Sequence, residues 1–296
     1  MEKIAPIIAI SREVAAMGDE VAGELAKISI EGFSGWRIIG KNRLEDRMKG
    51  FGIDQASIEK FDEKRPSFFA SFSQGRDDYF HFLKMAILDE AAEAAAAREA
   101  SIFLGRGAAW VLNGVPGLIS VFLTSPFDIR VARCKYYFHC EERKARQLLN
   151  ENDNDKIGFF RTFFDADWRL PSNYHLVFNT GTLHPALCAT SIMEVQKNIP
   201  ESGKSLDELL FAGKLIHYIV YEKRIPVQFL DADVTKDEKG SYKTILYGVA
   251  GSEGLADAAL TAAREMEGIG EITSEIKMVQ EYNIVSSGIP QGGVMS

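Results

Sequence analysis

Over the first 199 positions, short unbroken apolar blocks alternate with stretches of helical spacing. Ile4 to Ile10 is rich in isoleucine and lacks polar alternation, which suits a parallel strand covered on both faces. From Gly18 the pattern turns helical: Val21, Ala22, Leu25 and Ile28 recur on one face, and Asp19 and Glu20 sit where acids favour a helix start. Trp36–Ile39, Ser101–Leu104, Leu118–Leu123 and Tyr174–Phe178 predict four further strands. Between them lie helical stretches: Lys41–Lys49, Ser57–Phe61, Asp77–Ala100, the segment opened by Pro126, the charged run from Glu141 into Phe159–Phe164, and His184–Ile199. Strands alternating with helices predict an α/β domain over residues 1–199, built on a five-stranded parallel sheet.

After Ile199 the order changes. Residues 200–205 (PESGKS) have linker composition. Leu206–Lys223 is an amphipathic helix, Ile225–Leu230 and Tyr242–Val249 are strands around a charged turn at Asp231–Gly240, Glu253–Met266 is a helix, and Ile272–Val279 is a strand. This predicts a small α+β domain of α-β-β-α-β order over 206–281, with a flexible Gly/Ser-rich tail at 282–296.

Bulk properties narrow the classes. The chain has 296 residues, 46% hydrophobic and 26% charged, so two domains can each bury a core. A net charge of −8 disfavours nucleic acid and anionic membranes as partners. Three cysteines without C-x-x-C spacing predict neither a disulfide framework nor a zinc site, and no metal ligands are assigned. No apolar run reaches the roughly 20 residues of a transmembrane helix and the start lacks a signal-peptide pattern, so the expected location is the cytoplasm.

The candidate chemistry gathers at strand ends. The first strand runs through Ser11-Arg12-Glu13-Val14-Ala15-Ala16-Met17 into the helix at Gly18, the arrangement in which amides and a helix dipole attract phosphate. A P-loop carries glycines and a lysine. Here Ala15 and Ala16 stand where glycine would admit phosphate oxygens, and Asp19 stands where lysine would neutralise them. A phosphate loop and a merely structural strand–turn–helix both fit. Arg106 lies between Gly105 and Gly107 just past the third strand, placed either for bidentate phosphate contact or as a solvated turn residue. Lys64, Arg65 and Ser67, beside Phe68, Phe69 and Phe72, read as a substrate-facing flap or as part of the core. Arg130 and Arg133 share one helix face. Lys156 and Arg161 belong to a solvated charged helix or to a closing lid. Gly203-Lys204-Ser205 is no P-loop ending, since no strand precedes it and Asn198 stands where the first glycine belongs.

Several stretches together carry a resemblance: IAISRE at the first loop, DEKRPSFF, GRGAAWVL, VFLTSP followed by Arg130 and Arg133, and FFDADWRLPSNYHLVFNTG. Residues 4 to about 199 resemble the cytidylate kinase-like family of nucleoside monophosphate kinases. The resemblance implies a P-loop nucleotide kinase fold and transfer of the γ-phosphate of ATP, with Mg²⁺, to a CMP-like nucleoside monophosphate. It implies that Ser11, Arg12 and Gly18 hold ATP. It implies that Arg65, Ser67, Arg106, Arg130 and Arg133 hold the monophosphate, and that Asp153, Lys156 and Arg161 form a catalytic lid. Two features depart from the family: the loop after Glu13 is not glycine-rich, and Asp153 is followed three residues on by lysine rather than arginine.

Residues 206 to about 281 resemble a BON domain, through Thr244–Val249 with Ser252-Glu253, then Ala262–Gly268 and Gly270-Glu271-Ile272 with Ile276. That implies a lipid-surface or protein-contact role. Residues 201–296 hold 9 Lys+Arg and 15 Asp+Glu, a net of −6, which favours a protein partner over anionic lipid. Two readings stay open: an active nucleotide kinase, or a non-catalytic regulator (a pseudokinase) with a nucleotide-sensing kinase-like domain and a protein-contact domain.

Overall fold

The computed structural model describes residues 3–61, 73–199 and 203–278. The chain divides into two compact units, at Lys214 and Leu215.

The first unit holds five parallel strands in the order β2-β3-β1-β4-β5. They are β1 (Ile7–Arg12), β2 (Gly35–Ile39), β3 (Glu99–Leu104), β4 (Leu118–Thr124) and β5 (Leu176–Asn179). The apolar blocks are the strands because the sheet is covered on both faces. Ile8, Ile10, Ile102, Leu104, Ile119, Val121 and Leu123 pack with Val21, Ala22 and Leu25 of α1 (Gly18–Ala26) and Cys188, Ala189 and Ile192 of α8 (Pro185–Gln196). On β4, Phe122 stacks on Tyr174 and meets Trp168 edge-on.

The other helices of this unit are α2 (Lys41–Gly50), α3 (Gln55–Phe61), α4 (Ser73–Ala96), α5 (Ala108–Val111), α6 (Phe127–Phe138) and α7 (Glu142–Phe164). α4 ends four residues before the predicted Ala100, because Arg98 takes φ 54 and β3 begins at Glu99. α9 (Leu206–His217) crosses the division between the units, and a wider-wound turn, Tyr218–Glu222, follows it.

The second unit contains β6 (Val227–Lys236), β7 (Tyr242–Ala250), α10 (Glu253–Arg264) and β8 (Ile269–Met278), in a three-stranded sheet ordered β6-β7-β8. The sequence expects a turn across Asp231–Gly240. Instead β6 runs to Lys236, with Ala232 and Val234 buried and Asp231 paired with Tyr247. The register shifts between Gln228 and Asp231, where Phe229 takes φ 50, so a bulge resets the strand and two aspartates fall within it.

An ion-pair network fixes α2 beside α4. Glu90 is 1% exposed and accepts from Arg43 Nε at 2.6 Å and from Arg47 Nε at 3.0 Å. Glu90→Ala takes the carboxylate from Arg43 and one of three from Arg47, which keeps Asp89 and Glu93. Because both arginines reach solvent, the loss expected in urea denaturation is about 2–3 kcal/mol, below the ~3–5 kcal/mol of fully buried pairs. An unchanged transition midpoint would remove Glu90 from any role in seating α2.

Candidate functional site

The loop after β1 is built by strained backbone and by side chains that seize its carbonyls. Ala15 and Met17 both take φ 60, in the left-handed region where glycine is at ease. Each costs on the order of 1–2 kcal/mol in an L-residue. Four carbonyls receive donors from elsewhere. Lys156 Nζ donates to the Arg12 carbonyl at 2.7 Å, Arg130 Nη1 to Val14 at 3.5 Å, Arg133 Nη1 to Ala15 at 3.1 Å and Thr180 Oγ1 to Ala16 at 3.1 Å. A planar trans peptide that aims its carbonyl one way aims its N–H the other. The loop is therefore held carbonyls-out. Val21 N is the first amide to bond within α1, to Met17 O, so the Gly18, Asp19 and Glu20 amides have no intrahelical partner.

In front of this loop lies a cavity of about 470 Å³, walled by residues 12–15 and 17–20 and by Lys41, Leu104, Arg106, Tyr137, Phe138, Asn152 and Lys156. Arg106 is 7% exposed and sits at φ 57 between Gly105 at 75 and Gly107 at 72, a left-handed turn that only its glycine neighbours adopt without strain. Its Nη1 donates to Tyr79 Oη at 3.5 Å, and its Nη2 lies 3.8 Å from Glu45 Oε1. Lys41 lies 3.5 Å from the same oxygen. The Arg12 side chain fills the space that glycine leaves at positions 18 and 105, since a Cβ on Gly18 would stand 2.8 Å from Arg12 Cγ. Lys156 Nζ also stands 5.4 Å over the Trp168 ring.

The predicted site residues separate into three groups. Arg12, Gly18, Arg106 and Lys156 converge on the cavity. Arg130, Arg133 and Asp153 are brought to the back of the loop. Arg130 is 3% exposed and grips Asp153 through two bonds, 3.1 and 2.6 Å, with Glu13 at 3.6 Å. Burial works against its charge, but Asp153 and Glu13 hold its pKa above the usual arginine value. Arg133 also donates to the Thr180 carbonyl at 2.6 Å. Ser11 and Arg161 stand apart. Ser11 is buried against the Tyr174 hydroxyl, whose pKa is driven up by burial. Arg161 is exposed on α7, with Asp167 feeling its charge. Arg65 and Ser67 lie outside the described residues.

Other wall residues escaped sequence reasoning. Lys41 opens α2 just past Gly40 and β2, and its place near a strand's carboxyl end was a usable signal. Tyr137, Phe138 and Asn152 carried none, because α6 was read for Arg130 and Arg133 and α7 for its charged run. The Tyr137 hydroxyl donates to Glu20 Oε1 at 2.5 Å; that bond and partial burial push the phenol up to about 12.

The loop fits a triphosphate poorly. Asp19, in the first turn of α1, is exposed and lines the cavity. It does not cap the helix: the cap position is Met17, with no side-chain bond. Ala15 faces the cavity, whereas Ala16, expected to crowd phosphate as well, is 0% exposed in the core beneath the loop. Magnesium in phosphoryl transfer is held largely through phosphate oxygens and goes with the triphosphate.

If Arg133 is a strut for the loop, Arg133→Ala removes charge-assisted bonds to two carbonyls. It should cost about 2–3 kcal/mol of stability in urea denaturation. An arginine poised for ligand alone would leave the unliganded protein's stability unchanged.

Comparison with known proteins bears on the same region. The model of the cytidylate kinase-like family matches residues 7–182. Among solved structures, an uncharacterized protein from Eubacterium ventriosum ATCC 27560 is 24% identical, with 65% of this chain and 98% of that one covered and a TM-score of 0.49. TT1252 from Thermus thermophilus is 15% identical, with 66% and 98% covered and a TM-score of 0.41. Shikimate kinase from Acinetobacter baumannii, in complex with shikimate, is 15% identical, with 66% and 94% covered and a TM-score of 0.36. A comparison with curated proteins finds no match. The family match spans more than half of the sequence, and the chain belongs to the cytidylate kinase-like family.

Proposed function

We propose that the cavity binds a singly phosphorylated nucleoside, CMP-like by family, and that the chain is a nucleotide-binding regulator with little phosphoryl transfer from ATP. The observation that carries this reading is Asp19, an exposed carboxylate on the cavity wall in the first turn of α1. A phosphate loop keeps its lysine at that end of the helix. Among the described residues the wall carries four cations (Arg12, Lys41, Arg106 and Lys156) against three carboxylates (Glu13, Asp19 and Glu20), an excess of one positive charge. That excess suits a monophosphate dianion better than a triphosphate.

A working kinase is the second reading. It is favoured by the convergence of Arg12, Arg106 and Lys156 on one cavity, since phosphoryl transfer needs chiefly positioned positive charge. The C-terminal unit belongs to the proposal as a BON-like module that contacts a protein, its acidity being unsuited to anionic lipid.

Calorimetric titration of the full chain with CMP and, separately, with Mg-ATP, followed by a coupled assay for CDP, tests the choice. The regulator reading expects CMP to bind at least about tenfold more tightly than Mg-ATP, ~1.4 kcal/mol, with CDP formation at background. Steady conversion of CMP to CDP establishes the kinase reading instead.

A further inference from the structure

The cavity's rim on the α6 side is aromatic. α6 ends in Tyr136-Tyr137-Phe138, which are 76%, 43% and 58% exposed, and His139 at φ 48 closes the helix. Single exposed apolar residues are ordinary on a protein surface. Three consecutive aromatics are not, and Tyr137 and Phe138 both line the cavity that contains the phosphate-type loop. Val131 and Cys134 face inward and spend the apolar face of α6 on the core, which leaves these rings to the rim. The bond from the Tyr137 hydroxyl to Glu20 ties one ring to the first turn of α1.

We propose that Tyr137 and Phe138 form the platform on which the base of the bound nucleotide stacks. This rests on the nucleotide-binding reading above and deepens it. The amides at Gly18–Glu20 and the surrounding cations account for phosphate. The base needs a flat apolar surface to leave water, and among the described residues the cavity's aromatic rings are these two. Of the other apolar wall residues, Val14, Ala15 and Met17 belong to the loop and Leu104 ends β3; none offers a planar face. Phe138 has no polar atom and the Tyr137 hydroxyl is engaged by Glu20, so the platform does not read base edges. Aromatic stacking accepts every base, since each has a π-face. The site therefore takes cytosine and adenine nucleotides alike.

The test compares CMP with ribose 5-phosphate, which carries the same phosphate and no base, by calorimetry on the full chain. The wild type should bind CMP at least about tenfold more tightly than ribose 5-phosphate, and CMP and AMP within about fivefold of each other. Phe138→Ala should reduce the CMP to ribose 5-phosphate ratio to about threefold or less while leaving ribose 5-phosphate affinity unchanged. Tyr137→Phe, which keeps the ring and loses the bond to Glu20, should preserve the ratio. Equal binding of CMP and ribose 5-phosphate by the wild type overturns the platform and spares the phosphate site. A wild-type ratio in Phe138→Ala also overturns it. Binding of neither compound overturns the nucleotide-binding reading, and the platform with it.

Discussion

The first loop is held by cations, buried or half-buried, that bond to its carbonyls, and the site depends on that grip. Arg130, Arg133 and Lys156 take up carbonyls at positions 14, 15 and 12, and Thr180 takes the one at 16. Without these donors, Ala15 and Met17 would have little reason to stay at positive φ. With them, the peptide planes that follow residues 12, 14, 15 and 16 are fixed, and α1 begins with Asp19 on the cavity wall. The two arginines of α6 thus hold the loop, with charge partners and acceptors of their own in Asp153, Glu13 and Thr180.

This division of labour explains how a phosphate-type geometry can persist with an unfavourable charge. At Val14, Ala15 and Ala16 the backbone is held from behind by Arg130, Arg133 and Thr180, which do not line the cavity, whereas Lys156 both holds the Arg12 carbonyl and lines it. Among the described residues the cavity's front wall presents Arg12, Lys41, Arg106 and Lys156 with three carboxylates among them. Changing the charge at position 19 therefore leaves the scaffold in place, since no hydrogen bond of the helix cap involves that side chain. Shape and charge are separable in this loop, and the proposed function follows from the charge.

Much of the fold was legible because a sheet covered on both faces needs unbroken apolar strands. Ile7–Ile10 and Leu118–Leu123 announce themselves in that way. β6 was not so plain: Asp231 and Asp233 look like a turn until β7 supplies partners and a bulge resets the register. At the site, sequence pointed to Arg106 through its flanking glycines, and the cavity contains it. Sequence could not tell that adjacent alanines face opposite ways, Ala15 toward the cavity and Ala16 into the core. Nor could it tell that Arg130 and Arg133 are spent on carbonyls and carboxylates, because those partners lie at sequence separations of 23 to 118 residues.

The claim that charge rather than shape limits triphosphate binding is tested most directly by measuring Mg-ATP affinity in two single variants. Asp19→Lys exchanges a repulsive charge for an attractive one at the cavity wall and should tighten Mg-ATP binding by at least about tenfold, ~1.4 kcal/mol. Ala16→Gly, at a side chain buried in the core, should leave that affinity unchanged. The opposite result, with glycine at 16 restoring binding and lysine at 19 having no effect, would contradict the account.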